Sequence, residues 1–259
     1  MGWVVQNSLL ILFKSEYLML AGLFDAIVDE WCFTESQRVA VVTGLAPIFF
    51  DLDGTLAESA AGIVASIEHA LAACDLGGRT INWRQQIGPP LQRMLESALP
   101  DVSLPHRDAV VAAYRSHYAA TGMFLTTLFP GVAEAVSALV DSGAVVYVVT
   151  NKPQQPAEMI VRHLKLEHLV RRVVGGDSSG HGTKPDRAAS LVAEEGITGG
   201  VFVGDSLDDL HAAERIGAVF FMAGWGYGTA RVLADRPEVT VVTRPLELLV
   251  SIAETCRRC

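Results

Sequence analysis

A run of β-branched residues in the middle of the chain constrains the fold more than any other feature. The run is AVVYVVT, residues 144–150, and it lacks the alternation of polar and apolar residues expected of a half-exposed strand. A strand without that alternation is typically buried on both faces, as in a parallel sheet covered by helices. Amphipathic segments at 132–141 and 153–164 supply such helices. The pattern therefore predicts an α/β core.

Strand and helix patterns continue to alternate on both sides of this run. Further strands are predicted at 47–50, 172–174, within GGVFVGD, at 218–222 and at 239–242, and further helices at 185–195, 207–216 and from 245 onward. Between the first strand and residue 128 the patterns are helical, at 58–71, after the Pro89-Pro90 pair and at 104–120. We therefore predict a doubly wound, Rossmann-like parallel sheet with an inserted helical cap domain. The expected division is an N-terminal helical extension at 1–45, a core at 46–60 and 128–259, and the cap at 61–127.

Composition narrows the choice of partners and compartment. A formal net charge of -9 argues against a nucleic-acid partner, which requires a basic face. Charged residues interrupt the apolar N-terminal segment well below the ~20 apolar residues of a membrane span, and it lacks the basic start of a signal peptide. The four cysteines are scattered, which favours a reducing, cytoplasmic location, and no use is expected of the terminal Cys256 and Cys259. The protein is expected to be a monomer or a homodimer without nucleic-acid or membrane partners.

Acidic and polar residues follow the predicted strands at one edge of the sheet. They are Asp51, Asp53, Thr150, Asn151, Lys184, Asp205 and Asp209. In open α/β sheets, ligands bind beyond the carboxyl ends of the strands, so these side chains are expected to meet. Converging carboxylates raise one another's pKa unless a cation lies among them, and oxygen-only ligands suit Mg²⁺. In a substrate phosphate, some oxygens would bind the metal. Lys184 and Thr150 are then expected to bind the remaining phosphate oxygens.

Two acidic residues near this edge, one inside the set and one outside it, also have structural interpretations. Asp205 precedes SLDDL and is a good helix N-cap, which is compatible with metal binding. Asp208 is expected to be a solvated helix residue and is left out of the site.

The motifs DLDGTL, VVTN, TKPD and GDSLDD occur in that order, each at a predicted strand end. Together they resemble the Mg²⁺-dependent phosphatases of the haloacid dehalogenase-like superfamily, over about residues 47 to 255. The segments IGPPL, FPGV, TNK and GWGYG make the chain most similar to the phosphoglycolate phosphatase group. The resemblance implies a hydrolase of small phosphate esters whose helical cap follows the first strand.

The resemblance also implies a function for each site residue. Asp51 would be the nucleophile that forms an aspartyl-phosphate, and Asp53 the general acid and base. Mg²⁺ would be held by the Asp51 carboxylate, the Asp53 backbone carbonyl and Asp205, with Asp209 in support. Charge on the phosphoryl group would be stabilised by Thr150, Asn151 and Lys184. Gly54 would allow a sharp turn from which Thr55 leads toward the cap.

The substrate remains open at this stage. Phosphoglycolate is placed ahead of a nucleoside monophosphate, because the loop GGDSSGHGTKPD also resembles 5′-nucleotidase-type relatives. A β-phosphoglucomutase-like phosphosugar mutase would share Asp51 and Asp53, and a catalytically idle protein could retain the fold. In the cap, Gly88, Pro89 and Arg93 are candidate substrate contacts, although a plain helix-start turn explains them equally well. His181 lies where it could approach the substrate.

Overall fold

The structure is a computed structural model that describes residues 47–177 and 182–252. The predictions for the N-terminal extension at 1–45, for His181 and for the Cys256 and Cys259 pair lie outside the described residues.

A six-stranded sheet forms the centre of the described chain. Its strands lie in the order β5-β4-β1-β6-β7-β8, and every adjacent pair is parallel. The strands are β1 (Pro47–Phe50), β4 (Val145–Pro153), β5 (Val170–Gly176), β6 (Val201–Gly204), β7 (Val219–Ala223) and β8 (Val241–Val242). The order places β1 between β4 and β6, so the first strand of the sheet is also a central one.

Helices connect the strands and cover both faces of the sheet. They are α4 (Val132–Asp141), α5 (Gln154–His163), α6 (Lys184–Glu195), α7 (Leu207–Ile216) and α8 (Thr229–Asp235). On one face, Phe49 of β1 packs with buried residues of α6 and α7. On the other face, Ile48 and Phe50 pack with buried residues of α4 and α5. The predicted doubly wound parallel sheet is confirmed, and its two-sided covering explains the unbroken apolar run of β4.

Aromatic rings anchor the central strand. The ring of Phe49 stacks on Tyr147 of β4 and on Phe202 of β6, with centroids 5.5 and 6.0 Å apart. Phe49 is also fully buried. Stacked aromatic pairs of this kind add stabilisation beyond the area they bury. They hold the carboxyl ends of three neighbouring strands in register.

The segment between β1 and β4 is helical, as the sequence predicts. It contains α1 (Ala60–Ala73), α2 (Leu91–Ala98), α3 (Leu104–Ala120) and two 3₁₀ turns, Trp83–Gln86 and Gly122–Leu125. We call residues 60–126 the helical insert. One hydrophobic cluster runs from Phe50 of the sheet to Val110 of α3. The division into a core and a separate cap domain therefore stays a prediction.

A short antiparallel ribbon joins the helical insert to the sheet. It pairs β2 (Ala57–Glu58) with β3 (Thr127–Leu128), and Glu58 lies opposite Thr127. The sequence predicts that the first helix begins at Glu58, but it begins at Ala60 because Glu58 is used in this ribbon. The predicted helix from Pro245 begins as a 3₁₀ turn, Pro245–Glu247.

None of the helices within residues 47–177 and 182–252 combines the length and the apolar character needed to cross a lipid bilayer.

Candidate active site

Three aspartates meet where the central strands end. Asp51 follows β1, and Asp205 follows β6 beside it. Asp209 lies in the first turn of α7. One ligand atom from each of the three lies within 4.8 Å of the others, and all three side chains are buried. The structure thus brings together three of the acids that the sequence places at the strand ends.

A buried lysine lies among these carboxylates. The Nζ atom of Lys184 is 2.8 Å from Oδ1 of Asp51 and 2.6 Å from Oδ1 of Asp209. The sequence places Lys184 in a flexible loop, whereas it is the first residue of α6, which Thr183 caps. Burial alone would lower the pKa of Lys184, but the two carboxylates leave it above its usual value. The ammonium group is therefore fixed and charged beside Asp51.

The single positive charge of Lys184 does not balance the negative charge that three buried carboxylates would carry. Burial raises the pKa of Asp51 well above its usual range, although Lys184 opposes the shift. Burial and the nearby Asp209 raise the pKa of Asp205 to about 7. Desolvated carboxylates with raised pKa values, grouped at strand ends, are typical of functional sites and are stabilised by an added cation.

The loop after β7 holds the Asp205 carboxylate in place. Its Oδ2 atom accepts hydrogen bonds from the backbone N–H groups of Tyr227 and Gly228, at 2.7 and 3.0 Å. Its Oδ1 atom is buried and has no hydrogen-bond partner. Gly54 has φ +97°, and a Cβ there would lie 2.5 Å from Oδ2 of Asp205. The glycine of DLDGTL is thus required by the turn and by the carboxylate next to it.

Asp205 does not cap the following helix. Ser206 is the N-cap of α7, and Oδ2 of Asp209 accepts hydrogen bonds from the backbone N–H groups of Asp205 and Ser206, at 3.2 and 2.9 Å. Asp209 therefore ties the helix start to the site. The Oδ1 atom of Asp205, which has no hydrogen-bond partner, remains available for a ligand.

The second aspartate of DLDGTL, Asp53, pairs with a lysine that the sequence prediction did not assign. Nζ of Lys152 lies 2.7 Å from Oδ2 of Asp53, and both side chains are largely buried. The same ammonium lies 4.8 Å from the ring centroid of Tyr118. Burial alone would lower the pKa of Lys152, but Asp53 and the nearby tyrosines raise it above its usual value. Oδ1 of Asp53 is buried without a partner.

The side chain of Asn151 links three parts of the chain. Its Nδ2 group donates to the backbone oxygen of Gly88 at 3.2 Å and to Oδ2 of Asp208 at 2.6 Å. Its Oδ1 accepts from Nη2 of Arg187 at 2.6 Å. The expectation that Asp208 is merely solvated is wrong, because its carboxylate helps to orient this amide. Arg187 was not singled out from the sequence.

A cavity of about 530 Å³ opens beside Asp51 and Asp53. Thr150, Asn151 and Lys152 also line it. Thr150 is buried, and its Oγ1 accepts a hydrogen bond from the backbone N–H of Lys152 at 3.2 Å. The cavity lies between the strand ends and the helical insert, which contributes residues from α1, α2 and α3.

The structure separates the three cap candidates. Gly88 and Pro89 line the cavity, but Arg93 does not and is exposed on α2. Thr55, predicted to support the turn, is buried with a hydroxyl that lacks a hydrogen-bond partner, and its backbone oxygen accepts from Nε1 of Trp225 at 2.9 Å. The sequence missed Lys152, Arg187 and Tyr227 as site residues. The surplus of acids at the strand ends was a signal that buried cations must accompany them.

Comparison with known proteins adds to this geometry. The model of the family described as haloacid dehalogenase-like hydrolase matches residues 48–223. The chain belongs to this family. The expected membership of the haloacid dehalogenase-like hydrolases is therefore confirmed.

Individual haloacid dehalogenase-like relatives have diverse names. The chain is 33% identical over 206 residues to the tyrosine-protein kinase PtkA of Mycobacterium tuberculosis, covering 76% of this chain and 67% of that protein. It is 31% identical over 188 residues to a 5′-nucleotidase of Pseudomonas aeruginosa, covering 70% and 84%. It is 30% identical over 214 residues to phosphoglycolate phosphatase 1 of the same organism, covering 78% of each. The expected similarity to the phosphoglycolate phosphatase group is thus confirmed.

The fold is also found in solved structures. A predicted phosphatase from Clostridium acetobutylicum superposes with a TM-score of 0.74 and 26% identity, covering 81% of this chain and 99% of that chain.

Proposed function

We propose that the chain is a Mg²⁺-dependent phosphomonoester hydrolase that acts on a small phosphorylated metabolite through an aspartyl-phosphate. One observation carries the proposal. Asp51, Asp205 and Asp209 form a buried carboxylate cluster at the strand ends, with Lys184 between two of them and a cavity beside Asp51. A buried site of this charge is suited to a metal ion and an anionic phosphoryl group together.

The residues at the site fit a magnesium ion. Asp51, Asp205 and the backbone carbonyl of Asp53 would hold it, with Asp209 in support. The unpartnered Oδ1 of Asp205 supports this assignment, because a buried carboxylate oxygen without a partner is costly unless a ligand occupies it. A bound Mg²⁺ would neutralise charge on the phosphoryl oxygens.

Asp51 and Asp53 would divide the reaction into two steps. Asp53 takes up the proton of the bound monoanionic phosphate ester. A carboxylate oxygen of Asp51 then attacks phosphorus, the ester P–O bond breaks, and Asp53 gives that proton to the leaving oxygen. In the second step Asp53 takes a proton from water, the water oxygen attacks phosphorus, and the bond to Asp51 breaks. Inorganic phosphate leaves with the proton, and both aspartates return to their starting states as carboxylates. Lys152, 2.7 Å from Asp53, would orient that carboxylate.

Thr150, Asn151 and Lys184 would bind the phosphoryl group. The Lys184 ammonium already lies 2.8 Å from Asp51, so a phosphoryl group under attack by Asp51 would meet a positive charge there. Thr150 offers a hydroxyl at the cavity wall. Asn151 is engaged with Gly88 and Asp208, and it would exchange one of these bonds for a phosphoryl oxygen. In the same proposal the enzyme is a cytoplasmic monomer or homodimer.

Phosphate release from a panel of monoesters tests this function. The panel contains phosphoglycolate, nucleoside monophosphates, sugar phosphates and p-nitrophenyl phosphate, with Mg²⁺ and then with excess chelator. We expect release that the chelator abolishes and that fresh Mg²⁺ restores. Release that persists at full rate in chelator would contradict the metal requirement. A nucleoside monophosphate as best substrate would indicate the 5′-nucleotidase-type alternative.

The name of the kinase relative makes phosphoryl transfer from ATP a second candidate. The glycines of the 175–182 loop lack the GxxxxGK[ST] spacing of a nucleoside-triphosphate loop, which weighs against ATP as the donor. Incubation with γ-labelled ATP and a tyrosine peptide distinguishes the two. Label on protein or peptide, with no release from the monoester panel, would replace the hydrolase by a kinase. Interconversion of sugar phosphates without net phosphate release would instead indicate the phosphosugar mutase. A chain that binds Mg²⁺ but acts on none of these compounds would indicate the catalytically idle protein.

A further inference from the structure

The lining of the 530 Å³ cavity changes character away from the aspartates. Beyond the strand-end residues, apolar and aromatic side chains form much of the wall: Ile63, Leu91, Met94, Tyr114, Met123 and Met159. All except Met159 belong to the helical insert. Gln92, Gln154, Gln155 and Asp177 also line the cavity, and the Gln154 amide is bonded to Glu158, Val173 and Gly175. The phosphoryl end of the cavity is thus polar, while the space for the rest of the substrate is mostly apolar.

Positive charge is scarce in that lining. Its two basic residues are Lys152 and Arg115. The Lys152 ammonium is bonded to Asp53, and Arg115 is exposed on α3. A small acid such as phosphoglycolate would place its carboxylate in a space whose walls are mostly apolar. Sugar phosphates would bring several hydroxyl groups, and the polar side chains of the lining, such as Gln92, Gln155 and the unpartnered hydroxyl of Tyr118, would pair with only some of them. Each unpaired polar group would cost free energy of binding.

We infer that the substrate's leaving group carries an apolar ring, so that the enzyme prefers arylalkyl or aryl phosphate monoesters to small polar ones. The inference rests on the proposed hydrolase function and specifies its substrate class. A ring fits a cavity of about 530 Å³, because ligand pockets of roughly 300–1,000 Å³ hold molecules larger than a two-carbon acid. Burial of the ring faces supplies binding energy that a polar leaving group cannot obtain from these walls.

Matched ligands test the preference without relying on turnover. In the presence of Mg²⁺, calorimetry compares benzylphosphonate with phosphonoacetate, two non-hydrolysable analogues of similar phosphonate charge. We expect benzylphosphonate to bind at least about tenfold more tightly, since one ring is worth more than the one methylene that gives a tenfold discrimination. Equal affinities, or tighter binding of phosphonoacetate, would overturn the inference.

Turnover gives the second measurement. Benzyl phosphate and glycerol phosphate are both esters of primary alcohols, so their intrinsic reactivities are close. We expect kcat/KM to favour benzyl phosphate by about tenfold or more, mainly through KM. If phosphate is released from neither but benzylphosphonate still binds more tightly, the hydrolase function fails while the ring preference stands. If glycerol phosphate is preferred, the ring preference fails while the hydrolase stands.

A pair of variants locates the preference in the wall. Leu91 and Leu104 are both the first residues of insert helices, α2 and α3, but only Leu91 lines the cavity. Leu91→Gln, at a half-buried position, should reduce the preference for benzylphosphonate several-fold. Leu104→Gln, at a side chain that is 64% exposed, should leave it unchanged. If the double variant Leu91→Gln, Met159→Gln kept the wild-type preference for benzylphosphonate, the assignment of the ring-binding site to these walls would be contradicted.

Discussion

At the scale of single residues, the two aspartates of DLDGTL have different surroundings. Asp51 is 4% exposed and faces Lys184 and two further carboxylates, whereas Asp53 faces Lys152 at the edge of the cavity. The surroundings of Asp51 suit the proposed nucleophile, which would lie near the metal. Those of Asp53 suit the proposed general acid and base, which would meet first the leaving group and then water. Each residue has its own lysine, which allows their functions to be tested separately.

Replacement of Asp51, the proposed nucleophile, should stop turnover and preserve the fold. In Asp51→Asn we expect phosphate release to fall by at least about a thousandfold, because an amide cannot form the acyl phosphate. Initial rates on p-nitrophenyl phosphate measure this, and thermal melting verifies folding. Asp101→Asn is the matched control, since Asp101 is exposed and pairs with Arg79 on the insert surface. Activity of Asp51→Asn within tenfold of the wild type would exclude Asp51 as nucleophile.

Loss of the Lys152 ammonium should destabilise the protein by leaving Asp53 unpaired. We expect Lys152→Met to lower the free energy of unfolding by about 1–3 kcal/mol. The double variant with Asp53→Asn should be less destabilised than the sum of the two single variants, because no charge is then stranded. Urea unfolding of the four proteins measures the coupling. Additive losses would show that the 2.7 Å pair contributes no coupling energy.

The residues the sequence prediction found and missed differ in what identifies them. Asp51 and Asp205 were predictable because each directly follows an apolar strand, and Asp53 because it lies two residues after Asp51. Lys152 and Tyr227 act through contacts across roughly 100 and 170 residues of chain. Such contacts depend on side-chain direction after folding, which no local spacing encodes. Arg93 shows the converse, because a basic residue on an insert helix can point away from the cavity.

At the scale of elements, the loop Gly224–Gly228 connects the carboxylate cluster to the start of the helical insert. Backbone N–H groups of Tyr227 and Gly228 hold Asp205. The Tyr227 hydroxyl accepts from the backbone N–H of Ser59 at 2.8 Å and donates to Glu58 at 2.8 Å. Arg84 of the insert pairs with Glu58 and lies over the Tyr227 ring, 4.9 Å from its centroid. One loop therefore contacts both the site and the junction through which the insert is attached.

Removal of the Tyr227 hydroxyl should loosen that junction selectively. In Tyr227→Phe we expect faster amide hydrogen exchange at residues 57–62, because the N–H groups of Ser59 and Ala60 lose their acceptor. Hydrogen exchange resolved by peptide or by residue measures this. Tyr147→Phe removes a hydroxyl that instead contacts Glu195 and should leave residues 57–62 unchanged. Equal protection in wild type and Tyr227→Phe would mean that the hydroxyl does not hold the junction.

The sequence predicts the positions of the long helices and strands well. It predicts short elements, and the helix ends beside them, less well. The bounds of α3, α4 and α7 agree with the predicted segments, because amphipathic spacing and capping residues mark them. The ribbon of β2 and β3 was not predicted, since two-residue strands carry no periodicity. Its formation moved the start of α1 from Glu58 to Ala60.

At the scale of the whole molecule, the raised carboxylate pKa values couple stability to pH and metal. The unfolded chain releases the Asp205 proton near the ordinary pKa of 3.8, whereas the folded chain releases it near 7. Between these values the folded state binds more protons, so stability of the metal-free protein falls as pH rises. Burial shifts Asp51 in the same direction.

Magnesium should reverse this loss, and most strongly at high pH. Metal binding requires the deprotonated carboxylates, so the rise in melting temperature on adding Mg²⁺ should be larger at pH 8 than at pH 6. Thermal melting in chelator and in Mg²⁺ at both values measures the difference. In Asp205→Asn the increment should shrink at both values. A Mg²⁺ increment that is larger at pH 6 would contradict a site built from these acids.

The central position of β1 has a consequence for how the chain is made. The strand that carries Asp51 pairs with β4 and β6, whose partner residues lie roughly 100 and 150 positions later. During synthesis on the ribosome, β1 and the helical insert emerge before either partner strand exists. The unpaired backbone N–H and C=O groups along both edges of β1 remain open to other nascent chains until β4 and β6 have been translated. The growing chain thus depends on protection of this strand, and the carboxylate cluster can form only after β6 and α7 have been made.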